Sequence, residues 1–188
     1  FGRTPFLNAA YFGNAPAIIY LSKLPDVDLC AIDDERKNAL HYLCKEEHLS
    51  MVQHLVKLDK IPINQVDKYR NNLLHYACES NKNNLIYFLV GLKKINLKDK
   101  NNNNDTLLHI TCEKGNLEIT KHLISFNEIN IKKRNKNGET ILHKACRSDN
   151  VELIEYLLSL NKFDINSTDI KHRTPLWYAI NSNHISIV

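Results

Sequence analysis

His-x-x-Cys occurs at His41/Cys44, His75/Cys78, His109/Cys112 and His143/Cys146, each pair 34 residues after the one before. Imidazole and thiolate are the usual donors to zinc, so the ladder is the first candidate for chemistry. One pair supplies two ligands, and a structural zinc takes four. If the repeats stack as helices, successive pairs lie about 8–10 Å apart. Zinc–ligand bonds of roughly 2.0–2.3 Å do not bridge that gap. The same spacing keeps the Cys row apart for disulfides, which need Cα atoms within about 7 Å. The ladder is therefore expected to be packing, with Cys acting as a small buried residue. Cys30 stands outside the row, in a loop, with nothing nearby to activate it. No metal or cofactor is called for.

A fixed period makes the chain an array of one small unit. The segments starting at residues 4, 38, 72, 106, 140 and 174 read TPFLNAA, NALHYLC, NLLHYAC, TLLHITC, TILHKAC and TPLWYAI. Their third row is Phe6, Leu40, Leu74, Leu108, Leu142 and Leu176, and the seventh is Ala10, the four Cys and Ile180. Apolar residues four apart share one helical face. A second periodic stretch follows, as in Leu85/Ile86/Leu89, Leu117/Ile119/Leu123 and Leu153/Ile154/Leu157. Each unit thus reads as a short helix, a tight turn and a second amphipathic helix that buries its face only by stacking. Thr4, Asn38, Asn72, Thr106, Thr140 and Thr174 suit the N-cap, with Pro5 and Pro175 at the first helical position. Asp33, Asp67, Asn101, Asn135 and Asp169, five residues before each cap, suit Asx turns at loop tips.

The rows resemble the Thr-Pro-Leu-His-x-Ala-Ala signature of ankyrin repeats. GNLEITKHLI (115–124) and DNVELIEYLL (149–158) are similar to that family's Gly-His-x-Glu-Ile-Val-x-x-Leu-Leu helix, and RNKNGET (134–140) to its Asp-x-x-Gly-x-Thr turn. The resemblance implies an all-α solenoid of helix-turn-helix units with loop tips, as one domain over 1–188. Its repeats would be 4–37, 38–71, 72–105, 106–139 and 140–173, with a partial sixth over 174–188. It also implies that the signature His bonds to neighbouring turns. Two features depart from the family. The unit is one residue longer, and its loop after the second helix carries apolar pairs two apart: Val27/Leu29, Ile61/Ile63, Ile95/Leu97, Ile129/Ile131 and Phe163/Ile165. An extended segment would point both members one way, forming a plug between units. The turn glycine two before the cap survives only as Gly2 and Gly138. Arg36, Arg70, Asn104 and His172 replace it elsewhere, and a positive φ there costs about 1 kcal/mol relative to Gly, so these turns are expected to be either looser or strained.

The 188 residues carry 43% hydrophobic and 24% charged side chains, which are globular values, without an apolar run near twenty or a visible secretion leader. Opening at Phe1-Gly2 and closing at Val188 inside a helical pattern, the sequence is expected to be part of a longer chain. Five cysteines, four of them in the repeat, point to a reducing, intracellular setting, the cytoplasm first and the nucleus second. The net charge of +4 is uneven. Residues 4–37 set three basic against five acidic side chains, and residues 72–105 set five Lys against Glu79, Asp99 and Asp105. This falls far short of a nucleic-acid footprint. Gly-x-Ser-x-Gly, phosphate-cradling and Rossmann motifs are absent, and carboxylates such as Glu46 and Glu47 fall on solvated stretches.

The resemblance implies a protein partner held by loop tips and the inner face of the first helix, with no catalysis and no membrane insertion. The expected contact residues are Tyr42, Tyr69, Tyr76, Lys136, Lys144, Arg147 and Tyr178. Tyr buries large area with a polar tip, which suits an interface, but Tyr42 and Tyr76 suit packing on a neighbouring unit equally well. Trp177, in the His position of the sixth repeat, reads as packing. Lys98, Lys100, Lys132, Lys133, Arg134 and Lys136 leave open a small ligand or nucleic acid on the basic central repeats. A third reading makes the array the targeting arm of a larger enzyme or channel.

Overall fold

The computed structural model describes residues 2–46 and 48–182, so Glu47 and the close of the sixth repeat, 183–188, lie outside it. The described residues form eleven helices and no strand, apart from an isolated bridge between Lys100 and Thr106. The chain divides into two compact units, Phe1–Asn96 and Leu97–Val188.

The first unit holds α1 (Pro5–Tyr11), α2 (Ala15–Leu21), α3 (Ala39–Lys45), α4 (Leu49–Lys57), α5 (Leu73–Ser80) and α6 (Asn83–Gly91). The first helices of successive repeats stack, α1 on α3 and α3 on α5, and each also packs on its own second helix. The second unit holds α7 (Leu107–Glu113), α8 (Leu117–Ile124), α9 (Ile141–Ala145), α10 (Val151–Ser159) and α11 (Pro175–Asn181). There α7 and α11 flank α9, while α8 and α10 back α7 and α9.

The expected core rows are buried from Phe6 to Leu142 and from Ala10 to Cys146. Leu176 and Ile180, on the last described helix, depart from them at 49% and 58% exposure. The fourth repeat carries Thr111 where its neighbours have Ala77 and Ala145, and Thr120 where they have Ile86 and Ile154. Both are fully buried and satisfy each other: Thr120 donates to Thr111 Oγ1 at 3.1 Å, and Thr111 donates to the Leu108 carbonyl.

All six expected N-caps occupy that position, and the side chains of Thr4, Asn38, Asn72, Thr140 and Thr174 accept from the N–H three residues on. All five loop-tip residues form Asx turns, each side-chain oxygen accepting two backbone N–H groups. Every position two before a cap takes the left-handed conformation, including Arg36 (φ 61°), Arg70 (φ 64°), Asn104 (φ 59°) and His172 (φ 57°). These non-glycine residues hold the family turn unchanged, strained rather than looser.

The apolar pairs differ from the extended plug the pattern predicts. In three of the five pairs the residue between them closes a tight turn instead. Asp28, Asn130 and Asp164 each accept, at 2.9 Å, from the N–H two residues on. A short acidic or amide side chain at that point competes with extended backbone for the N–H. Leu29, Ile61 and Ile95 are buried, their counterparts half-buried, and Ile165 is 57% exposed.

Candidate functional site

The histidine ladder is an internal brace. In each of four repeats Nδ1 accepts the N-cap backbone N–H: Asn38 to His41 (3.2 Å), Asn72 to His75 (3.3 Å), Thr106 to His109 (3.3 Å) and Thr140 to His143 (3.1 Å). In the two repeats capped by Thr, an accepting Nδ1 leaves the ring proton on Nε2. From there His109 donates to the Glu139 carbonyl and His143 to the Arg173 carbonyl, both at 3.2 Å and both in the next repeat. The neighbouring-turn bonds implied by the family pattern are therefore present in the second unit. Burial pushes His41 down to about 4 and lowers His109 and His143, so these rings are neutral at pH 7. Each Cys of the row is buried, and burial raises Cys112 to about 12 and Cys146 to about 11. Such thiols are inert as nucleophiles. Among the described residues no three His, Cys, Asp or Glu side chains converge on a metal-binding geometry.

Row five, the residue after the signature His, is buried from Tyr42 through Ile110 and Lys144 to Tyr178, and only Asn8 at its start is exposed. Tyr42, Tyr76 and Tyr178 are only 4–6% exposed. Tyr76 Oη donates to Asp67 Oδ2 at 2.7 Å, Tyr178 to Asp169 Oδ2 at 2.6 Å, and Tyr42 to Asp33 in the same way. Their rings pack edge-on against the previous repeat, Tyr76 on His41 at 5.6 Å and Tyr178 on His143 at 5.8 Å. Burial and the adjacent Asp33 push the Tyr42 hydroxyl up to about 12, and the other two also rise. These three tyrosines pack against neighbouring side chains. Tyr69, by contrast, is 47% exposed on its loop, with the Lys68 ammonium over its ring.

Lys144 is also withdrawn, at 6% exposure, and anchors a network in the second unit. Its ammonium meets Glu113 at 3.1 Å, Glu139 at 3.6 Å and Asp105 at 3.8 Å. Glu139 is fully buried and accepts from Asn135 (2.7 Å), Tyr178 (2.9 Å) and Arg147. Burial alone would raise its carboxyl; the Asn135, Tyr178, Lys144 and Arg147 donors outweigh that and hold it near 2. Arg147 spans the edge of this network, with Glu113 at 3.2 Å and the Tyr178 ring 4.3 Å beneath it, and keeps 26% of its side chain exposed. Trp177 packs on Tyr178 and under Arg173, with 40% still exposed.

The tips of adjacent repeats are tied through backbone. Lys68 N–H donates to the Glu35 carbonyl at 2.8 Å in the first unit. Lys136 N–H donates to Asn103 at 2.8 Å and Ile170 N–H to Asn137 at 3.0 Å in the second. The Lys136 side chain is exposed on that ladder. Of the seven expected contact residues, Tyr69 and Lys136 are exposed, Arg147 is half-buried, and Tyr42, Tyr76, Lys144 and Tyr178 are buried.

A family profile described as ankyrin repeats in three copies matches residues 74–169 and 108–188, together more than half of the chain. This chain belongs to the ankyrin-repeat family. Ankyrin repeats are generally protein–protein interaction modules and are typically non-catalytic. No curated protein matches the sequence. No described helix of this ankyrin array is long and apolar enough to cross a membrane.

The Tyr–Asp brace escapes a reading of the signature alone. The signal for it was present: the tip residue is Asp in the three repeats with a row-five Tyr (33/42, 67/76, 169/178) and Asn where row five is Ile110 or Lys144.

Proposed function

We propose that the chain is a non-catalytic recognition module that holds a protein partner on its loop tips and the inner edge of its first helices. Tyr69 serves the first unit, and Lys136 and Arg147 serve the second. The observation that carries this reading is the division of labour in row five and the tips. Buried Tyr–Asp pairs and the Glu139 network brace the backbone, and exposed side chains project from it. A braced face loses little conformational entropy when a partner docks. Tyr42, Tyr76, Tyr178 and Lys144 act as supports. No cofactor enters this function, and the five unpaired cysteines fit a reducing intracellular compartment, the cytoplasm.

The test is capture of a partner from native cell extract by the wild-type chain, followed by affinity measurement. Tyr69→Ala, Lys136→Glu and Arg147→Ala keep their helix content, and at least one of them weakens binding about tenfold. A captured partner bound equally by all three variants overturns the assigned face. Failure to capture any specific protein overturns the recognition reading.

A further inference from the structure

The second unit contains a groove of about 240 Å³ that shares no residue with the three contacts proposed above. Its floor includes Leu97 and Ile129, both half-buried and both from the apolar pairs that follow a second helix. Its rim carries Lys98, Lys100, Lys133 and Arg134 against one carboxylate, Glu128. Glu128 is committed to Lys98 at 3.2 Å. Arg134 Nη1 donates to the Gly138 and Thr168 carbonyls at 2.6 and 2.8 Å, which stakes the guanidinium at the rim without neutralising it. Lys100 and Lys133 are exposed and form no ion pair among the described residues. An apolar floor under a surplus of cations is complementary to a ligand with the opposite arrangement.

We infer that this groove binds an acidic peptide segment carrying one aliphatic side chain. The aliphatic group rests on Leu97 and Ile129, and flanking carboxylates meet Lys100, Lys133 and Arg134. The inference rests on the protein-recognition reading and adds a second contact with a stated partner chemistry. Size and lining both favour a peptide. Pockets that enclose drug-sized ligands run from about 300 to 1,000 Å³, so this one suits a single side chain. Its lining contains no aromatic residue, so nucleic-acid bases would find no stacking platform.

Fluorescence anisotropy with the 188-residue chain and a labelled Glu-Glu-Leu-Glu-Glu peptide tests it. The peptide binds. Glu-Glu-Gly-Glu-Glu binds about tenfold more weakly, because the floor is left unfilled. Lys-Lys-Leu-Lys-Lys does not bind. A Lys100→Glu/Lys133→Glu double variant, changed only at exposed side chains, stays folded and loses about tenfold or more. The inference is overturned by absence of binding to wild type, by equal binding of the glycine peptide, or by an unaffected double variant. Tighter binding of single-stranded oligothymidylate, with a steep fall in salt, overturns it in favour of nucleic acid. Partner capture by tips without peptide binding removes the groove assignment alone, and peptide binding without tip-dependent capture removes the assigned face alone.

Discussion

Tyr76 donates its hydroxyl to Asp67 Oδ2 at 2.7 Å, joining the first helix of a repeat to the loop tip nine residues before it. The same carboxylate uses Oδ1 to hold the Asx turn at Tyr69 and Asn71. One buried Asp thus shapes the tip and locks it to the helix. Tyr76→Phe removes one of these bonds and costs about 1–2 kcal/mol by urea denaturation. A double-mutant cycle with Asp67→Asn returns a coupling of about 1 kcal/mol. Full additivity would show that the pair is incidental.

Where row five lacks Tyr, the tip residue is Asn for a reason. Asn135 donates Nδ2 to both Asp105 (2.9 Å) and Glu139 (2.7 Å). Asn135→Asp places a third carboxylate between two others in a buried site and destabilises the fold by about 2 kcal/mol or more at pH 7. Lowering the pH toward 4 recovers part of the loss by protonating one member. A neutral effect at pH 7 would remove the network from the account of this unit.

Arg36 and Arg70 hold the turn conformation that glycine holds at Gly138. Arg36→Gly and Arg70→Gly relieve left-handed strain, partly offset by greater freedom of the unfolded chain, and each stabilises by roughly 0.5 kcal/mol. Gly138→Ala goes the other way. Its φ is 73° and the added Cβ would lie 3.1 Å from the Ile170 nitrogen, so a loss of about 1 kcal/mol or more is expected. Thermal midpoints of the three variants check the signs.

Cys78 and Leu108 separate packing from chemistry. Leu108→Ala empties a fully packed position and costs about 2–5 kcal/mol. Cys78→Ala exchanges one small buried residue for another and costs far less. Global unfolding by Cys78→Ala, or by a chelator acting on wild type, would contradict the packing role.

Buried histidines set a pH window. The His41 ring, with a folded value near 4, takes up its proton more readily when unfolded, and His109 and His143 shift the same way. Their contribution is complete above about pH 6.5 and is lost as pH falls through the folded values. Glu35 and Glu139, held near 2, lose theirs only below about 4.5. Urea midpoints therefore decline first between pH 6.5 and 5, by at most about 1.4 kcal/mol per pH unit for each histidine. A flat profile in that interval would show that the rings are not buried neutral.

Local features were legible in the residues themselves. Caps at Thr4 or Asn38, Asx tips at Asp67 or Asn135, and the core rows through Leu40 and Cys44 act over three to five positions of chain. The Asp28, Asn130 and Asp164 turns were equally local, but an apolar alternation of two disguised them as extended chain. Row five was ambiguous for a different reason. Whether Tyr76 faces a partner or His41 depends on the repeat before it, and a row seen from one unit does not contain its neighbour.

By itself the sequence determined the period, the helix pair in each unit and the left-handed turns. These follow from hydrogen bonds and steric limits within a few residues of backbone. Only the tertiary structure decided that Lys144 is a buried support while Arg147, three residues on, reaches solvent. Three carboxylates from neighbouring loops and helices surround Lys144 Nζ, and ion pairing makes its burial tolerable. It also assembled the basic groove, because Leu97 and Ile129 are far apart in the chain and share a floor only in the folded second unit.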